Sequence, residues 1–130
     1  MIRTISLFAL LTITLFSCKK DNEDHEDFSG SITITAPAES STITGGSTFL
    51  VTGNIEGNTE MHGYMITVYN QNDQTVVYSN TLESHSDAYT LNETVTHTLT
   101  APKPLRLVIE AEVGHDGESM TKEVLFQYQP

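Results

Sequence analysis

Tryptophan is missing from this 130-residue chain, cysteine occurs once, and 6 basic residues stand against 17 acidic ones. Each shortage removes a class of protein. A single cysteine cannot close an intrachain disulfide, and it rules out cysteine-rich zinc modules and iron–sulfur clusters. A formal charge of −11 repels phosphate backbones, which argues against nucleic acid as a partner. No apolar run reaches the roughly 20 residues of a permanent bilayer span. No glycine-rich loop follows a strand and opens a helix, and no G-x-S-x-G elbow or D-x-D-x-D-G calcium loop occurs. The length fits one domain.

What is present begins with an address. The chain opens Met1-Ile2-Arg3, runs through mostly apolar residues from Thr4 to Phe16, and reaches Ser17-Cys18-Lys19-Lys20. A basic start and a short apolar run are the leading regions of an export signal. Leu15-Phe16-Ser17-Cys18 resembles a bacterial lipobox. The resemblance implies that residues 1–17 are a lipoprotein signal peptide and that Cys18 becomes a lipidated, palmitate-type N-terminus. Acyl chains contribute about 0.8 kcal/mol per buried CH₂, so such a cysteine holds a protein at a membrane without a spanning helix. Asp21 to Asp27 reads D-N-E-D-H-E-D. Acids at that density repel one another and bury nothing, so residues 18–28 read as the anchor cysteine and a flexible tether. Lysines and then acids directly after the lipid cysteine resemble the export tag of Bacteroidetes-type outer-membrane lipoproteins. That implies an outer-membrane location, facing the cell surface or the periplasm.

From Ser29 onward the pattern changes to short alternating runs. Ile32 and Ile34 form the first, Phe49 and Val51 the second, and Tyr64, Ile66 and Val68 the third. Asn70 to Asp73 reads as a turn before Val76-Val77-Tyr78. A fifth run spans Tyr89 to Leu99, a sixth carries Leu105, Leu107, Ile109, Ala111 and Val113, and Val124, Phe126 and Tyr128 form the seventh. Seven period-two runs rich in Thr, Val, Ile, Tyr and Phe, with no helical stripe, predict an all-β fold. The expected architecture is a seven-stranded antiparallel β-sandwich over residues 29–130. Its inward core includes Ile66, Val68, Leu107, Ile109 and Phe126. Strand number and length are similar to an immunoglobulin-like or fibronectin-III-like domain. Ser31 to Pro37, followed by Gly45-Gly46-Ser47-Thr48-Phe49, resembles the first two strands of bacterial extracellular modules of that kind.

Candidate chemistry concentrates in the histidines. Alternating connections of a sandwich place those between the second and third runs (54–61), the fourth and fifth (80–88), and the sixth and seventh (115–118) at one pole. His62, His85 and His115 then share an end with Glu60, Asp87, Asp116 and Glu118. Three imidazoles plus a carboxylate or water suit Zn²⁺ or Cu²⁺, so the expected metal ligands are His62, His85, His115 and Asp116. Met61 and Met120 are soft donors that would favour copper(I). His97 shares parity with Val95 and Leu99 and is expected at the core edge, and His25 lies in the tether. Glu110 and Glu112 read as a solvated outer face. Ser84, His85 and Asp87 adjoin in sequence, but a triad is assembled by fold geometry, not by adjacency.

The expectation is a non-enzymatic, membrane-anchored, extracytoplasmic binding module, with a transition metal as one candidate ligand. The alternative is a structural or adhesive domain that binds a protein or carbohydrate partner without metal. The absence of tryptophan weakens the carbohydrate version, since sugar platforms need exposed rings and only Tyr69 and Tyr89 read as off the main parity. Segments 60–64 and 114–117 resemble those of small Bacteroidetes-type lipoproteins with Ig-like domains, a resemblance that carries no function.

Overall fold

A computed structural model describes residues 28–113 and 117–130. The expected signal peptide, Cys18, the tether to Asp27, His25, His115 and Asp116 all lie outside the described residues.

The described chain is all-β. Its strands are β1 (Gly30–Ala36), β2 (Thr42–Thr44), β3 (Thr48–Asn70), β4 (Val76–Thr96), β5 (Lys103–Val113) and β6 (Glu118–Gln129). They form one curled mixed sheet in the order β1-β3-β5-β6-β2, with β4 on the other side of β3. Two features differ from the expected seven antiparallel strands. The second and third runs are one strand, β3, and the fourth and fifth are one strand, β4. The segments 54–61 and 80–88, expected as loops, stay extended because both are built into the β3–β4 ladder, where 80–83 pair with 63–66 and 54–56 pair with 88–90. Ile55 pairs with Tyr89, Glu56 with Ala88, and then Met61 with Ser86. Between those pairs β3 inserts Gly57 to Glu60 where β4 inserts only Asp87, so the expected loop is a wide bulge. The second difference is β2, which pairs with β6 in parallel (Ile43 opposite Tyr128). Pro37 ends β1, and the chain crosses to the far edge. There Ser40 donates its N–H to the Leu125 carbonyl at 2.7 Å, and Glu39 accepts the Leu125 N–H at 3.0 Å.

The long strands bend. Tyr78 and Asn80, early in β4, donate to the Glu93 carboxylate near its end, Asn80 at 2.9 Å. In a straight strand, residues 15 positions apart sit about 50 Å apart. Strand β4 therefore folds back across the core. Strand β3 does the same. Its first half pairs β1 and the end of β4, and its second half pairs β5 and the start of β4. Between the halves lie Phe49, Val51, Ile55, Ile66, Val68, Leu91, Val95, Leu107, Ile109 and Phe126, all buried. Phe49 and Phe126 meet edge-to-face at 5.5 Å although β3 and β6 are not ladder neighbours. Full burial of side chains this size contributes about 1.5–3 kcal/mol each. All five residues expected inward from parity are inward.

Gly63 adjusts the register between bend and core. Its φ is +135°, and a Cβ there would stand 2.1 Å from the Leu82 carbonyl oxygen. Only glycine fits. The irregularity between Met61 and Gly63 lets Met61 and Tyr64, three residues apart, both face inward while His62 faces out.

His97 closes the opposite end, at the core edge as its parity predicts. It is 4% exposed, with its ring 4.6 Å from Tyr128 and 5.7 Å from Phe49. Its Nδ1 accepts the Leu99 N–H at 3.3 Å, so the proton of the neutral ring sits on Nε2, which is buried without a partner among the described residues. Burial holds its pKa below the ordinary 6.5. The unfolded chain therefore binds a proton before the folded one does. The stabilisation is complete above about pH 6.5 and is lost as pH falls from there toward the depressed folded value. Urea midpoints measured between pH 7.5 and 5 should decline in the wild type and decline less in His97→Phe. Parallel profiles would refute this account of His97.

Candidate functional site

The bulge of β3 and the adjoining stretch of β4 bring two of the predicted histidines together. The rings of His62 and His85 are in contact, with centroids 4.5 Å apart and planes tilted by 60°. The Nδ1 of His85 lies 2.9 Å from Glu60 Oε1. An ionised carboxylate only accepts, so Nδ1 of a neutral His85 carries the proton and Nε2 keeps its lone pair. Glu60 reaches His85 because the extra residues Gly57 to Glu60 bow β3 outward opposite Asp87. The hydrogen-bonded carboxylate of His85 is thus Glu60, not the sequence neighbour Asp87.

The remaining predicted ligands, His115 and Asp116, lie outside the described residues. Their flanks are described: Val113 pairs with Met61 on one side and with Glu118 on the other. Met61 also pairs with Ser86. Met61 and Ser86 therefore lie beside the end of β5 and the start of β6. Strand β4 runs unbroken through Asn92 and Glu93. Among the described residues, no group of three or more His, Cys, Asp or Glu side chains is arranged to hold a metal. The methionines expected as soft donors are elsewhere. Met61 is fully buried in the core, and Met120 packs against it from β6, so the copper(I) preference they implied falls away.

Tyr89 was expected off the main parity and exposed. It is buried, opposite Ile55, as its period-two spacing from Leu91 and Val95 should have indicated. Its ring meets Tyr64 edge-to-face at 5.3 Å. Its hydroxyl lies 3.2 Å from the Met61 carbonyl and also within hydrogen-bond reach of the Ser84 carbonyl. Those carbonyls belong to the residues just before His62 and His85. One buried phenol therefore ties the backbone under both imidazoles. Burial raises the pKa of Tyr89, so the donor stays protonated.

Beside the pair, on the outer face of β3, β5 and β6, lies a groove of about 310 Å³. Gly63 pairs with Glu83 on β4 and with Glu112 on β5 and is part of the lining. Glu83, Glu110 and Glu112 line it with His62, Met65 and Ser119, and no lysine or arginine does. Glu110 and Glu112 lie on an outer face, as expected. Tyr69, further along that face, carries the Arg106 guanidinium 4.8 Å from its ring centre.

No protein-family model matches the chain, and no curated protein matches it.

Tyr89→Phe removes the one donor that the Met61 and Ser84 carbonyls share and should cost about 1–3 kcal/mol in equilibrium urea unfolding. It should also weaken the nuclear Overhauser contact between the His62 and His85 rings. A variant with wild-type stability and unchanged ring contacts would show that the hydroxyl holds nothing.

Proposed function

We propose that this chain is a lipid-anchored, extracytoplasmic binding module, not an enzyme. Its architecture is an Ig-like β-sandwich, and its ligand end is the pole that carries His62 and His85. The pairing pattern supports the architecture. The halves of β3 and β4 would divide the sheet into one layer of β1 with the first half of β3 and the end of β4. The other layer would hold the start of β4, the second half of β3, β5, β6 and β2. The single observation that carries the ligand end is the tilted contact of two imidazoles 4.5 Å apart, one with its Nδ1 already engaged by a carboxylate.

The proposed ligand is Zn²⁺ or Cu²⁺, held by His62 and His85, with His115 and Asp116, which follow β5 in sequence, as the further proposed ligands. Imidazole nitrogen suits both ions. Among the described residues no helix is long and apolar enough to cross a membrane, and the proposed membrane attachment is the lipid on Cys18. A second reading, a protein-binding adhesive domain, is favoured by β4. Among the described strands it pairs only with β3, and its edge exposes Val76 and Leu82. An open edge of that length is a template for strand addition.

Two measurements test these readings. Zn²⁺ or Cu²⁺ should raise the melting temperature of the purified chain at pH 7.5 and much less at pH 5, because only neutral imidazole binds metal. Saturation at a hundred times Kd corresponds to about 2.7 kcal/mol. His62→Ala/His85→Ala should abolish the rise, and an equal rise in the double variant would move the site elsewhere. Separately, Cys18→Ser should release the protein from the membrane fraction or leave it unprocessed. Its recovery in membranes at the wild-type processed size would contradict lipidation.

A further inference from the structure

Glu60 and His85 are exposed, with side chains 64% and 59% accessible. A surface pair of this kind contributes little to stability, typically 0–1 kcal/mol. Yet a wide bulge in β3 brings Glu60 to it, and Tyr89 holds the backbone on either side. The pair does one thing that stability does not need. It fixes which nitrogen of His85 is protonated, and so which nitrogen can donate a lone pair.

We propose that Glu60 is the positioning residue of the metal site: it holds the His85 Nδ1 proton and presents Nε2, beside the His62 imidazole, to a divalent transition ion. This rests on the metal-binding reading of the same pole. A carboxylate behind a ligating imidazole fixes the ring's tautomer and orientation and raises its basicity. Because the Glu60 oxygen 2.9 Å from Nδ1 is occupied by that proton, Glu60 does not serve as a third ligand through it. That matches the lack of a three-ligand group among the described residues. Two imidazoles leave coordination positions open on a tetrahedral ion, so the described ligands make an incomplete site, not a closed structural one.

The experiment uses the full chain and two readouts. The first needs no metal. Two-dimensional ¹H–¹⁵N spectra of the histidine rings near pH 8 should show His85 as the Nδ1–H tautomer in the wild type. In Glu60→Ala it should shift toward Nε2–H. The second is calorimetric titration with zinc sulfate. Glu60→Ala should bind Zn²⁺ about ten- to a hundredfold more weakly. Glu60→Gln keeps a neutral acceptor oxygen and should fall between. With Zn²⁺ bound, the ring spectra should show Nε2 coordinated and Nδ1 still protonated.

Equal Zn²⁺ affinity in the wild type and Glu60→Ala, or coordination through Nδ1, would overturn the role of Glu60 while leaving the metal reading intact. No Zn²⁺ binding by the wild type, with the Nδ1–H tautomer present, would overturn the metal reading and the role assigned to Glu60 with it.

Discussion

The ladder between β3 and β4 constrains nearly everything else. It runs from Thr48 opposite Thr96 to Tyr69 opposite Val76, so both strands must bend at the same place if the sheet is to enclose a core. That place is where β3 inserts Gly57 to Glu60 against Asp87, followed at once by the backbone of Gly63. The bend therefore has two consequences. It folds the sheet over its apolar side chains. It lifts Glu60 to His85. The core and the candidate site are products of one irregularity, and a change that straightened it would remove both.

Alternation made the inner faces of β3, β5 and β6 legible. Ile66, Val68, Leu107, Ile109 and Phe126 are buried because a two-residue period in a half-solvated sheet leaves little choice. Continuity was not legible. Asn54, Gly57 and Asn58 look like a loop, and Ser84 to Asp87 looks like another, because turn-favouring residues are read from composition alone. In the fold Asn54 stands opposite Thr90, Gly57 opposite Gly30, Asn58 donates its N–H to the Ser29 carbonyl and Ser86 stands opposite Met61, so neither segment has to be a loop. The parallel contact of β2 with β6 was equally hidden, since three residues of Thr42-Ile43-Thr44 carry no period.

The histidine pole was half legible. The argument used alternating connections between strands, and although 54–61 and 80–88 are parts of β3 and β4, His62 does meet His85. What it missed was the support beneath them. Tyr89 carries the same spacing as Leu91 and Val95, so burial could have been read from it, but its hydroxyl's two carbonyl partners come from separate strands. Met61 shows the opposite failure. Its place beside His62 suggested a ligand, and the bulge turned its side chain into the core.

The clasp on the flank and the buried histidine answer acid differently. Tyr78 donates to Glu93, and that hydrogen bond, more than burial, pushes the phenol's pKa up to about 12. The phenol keeps its proton at every pH near neutrality, so the bond across the fold of β4 has a permanent donor. His97 has no such insulation, since its Nδ1 must stop accepting from Leu99 as soon as the ring takes up a proton. Acid that protonates His97 therefore loosens the seam around Phe49, His97 and Tyr128, while the Tyr78 donor that holds β4 folded over the core is unmoved.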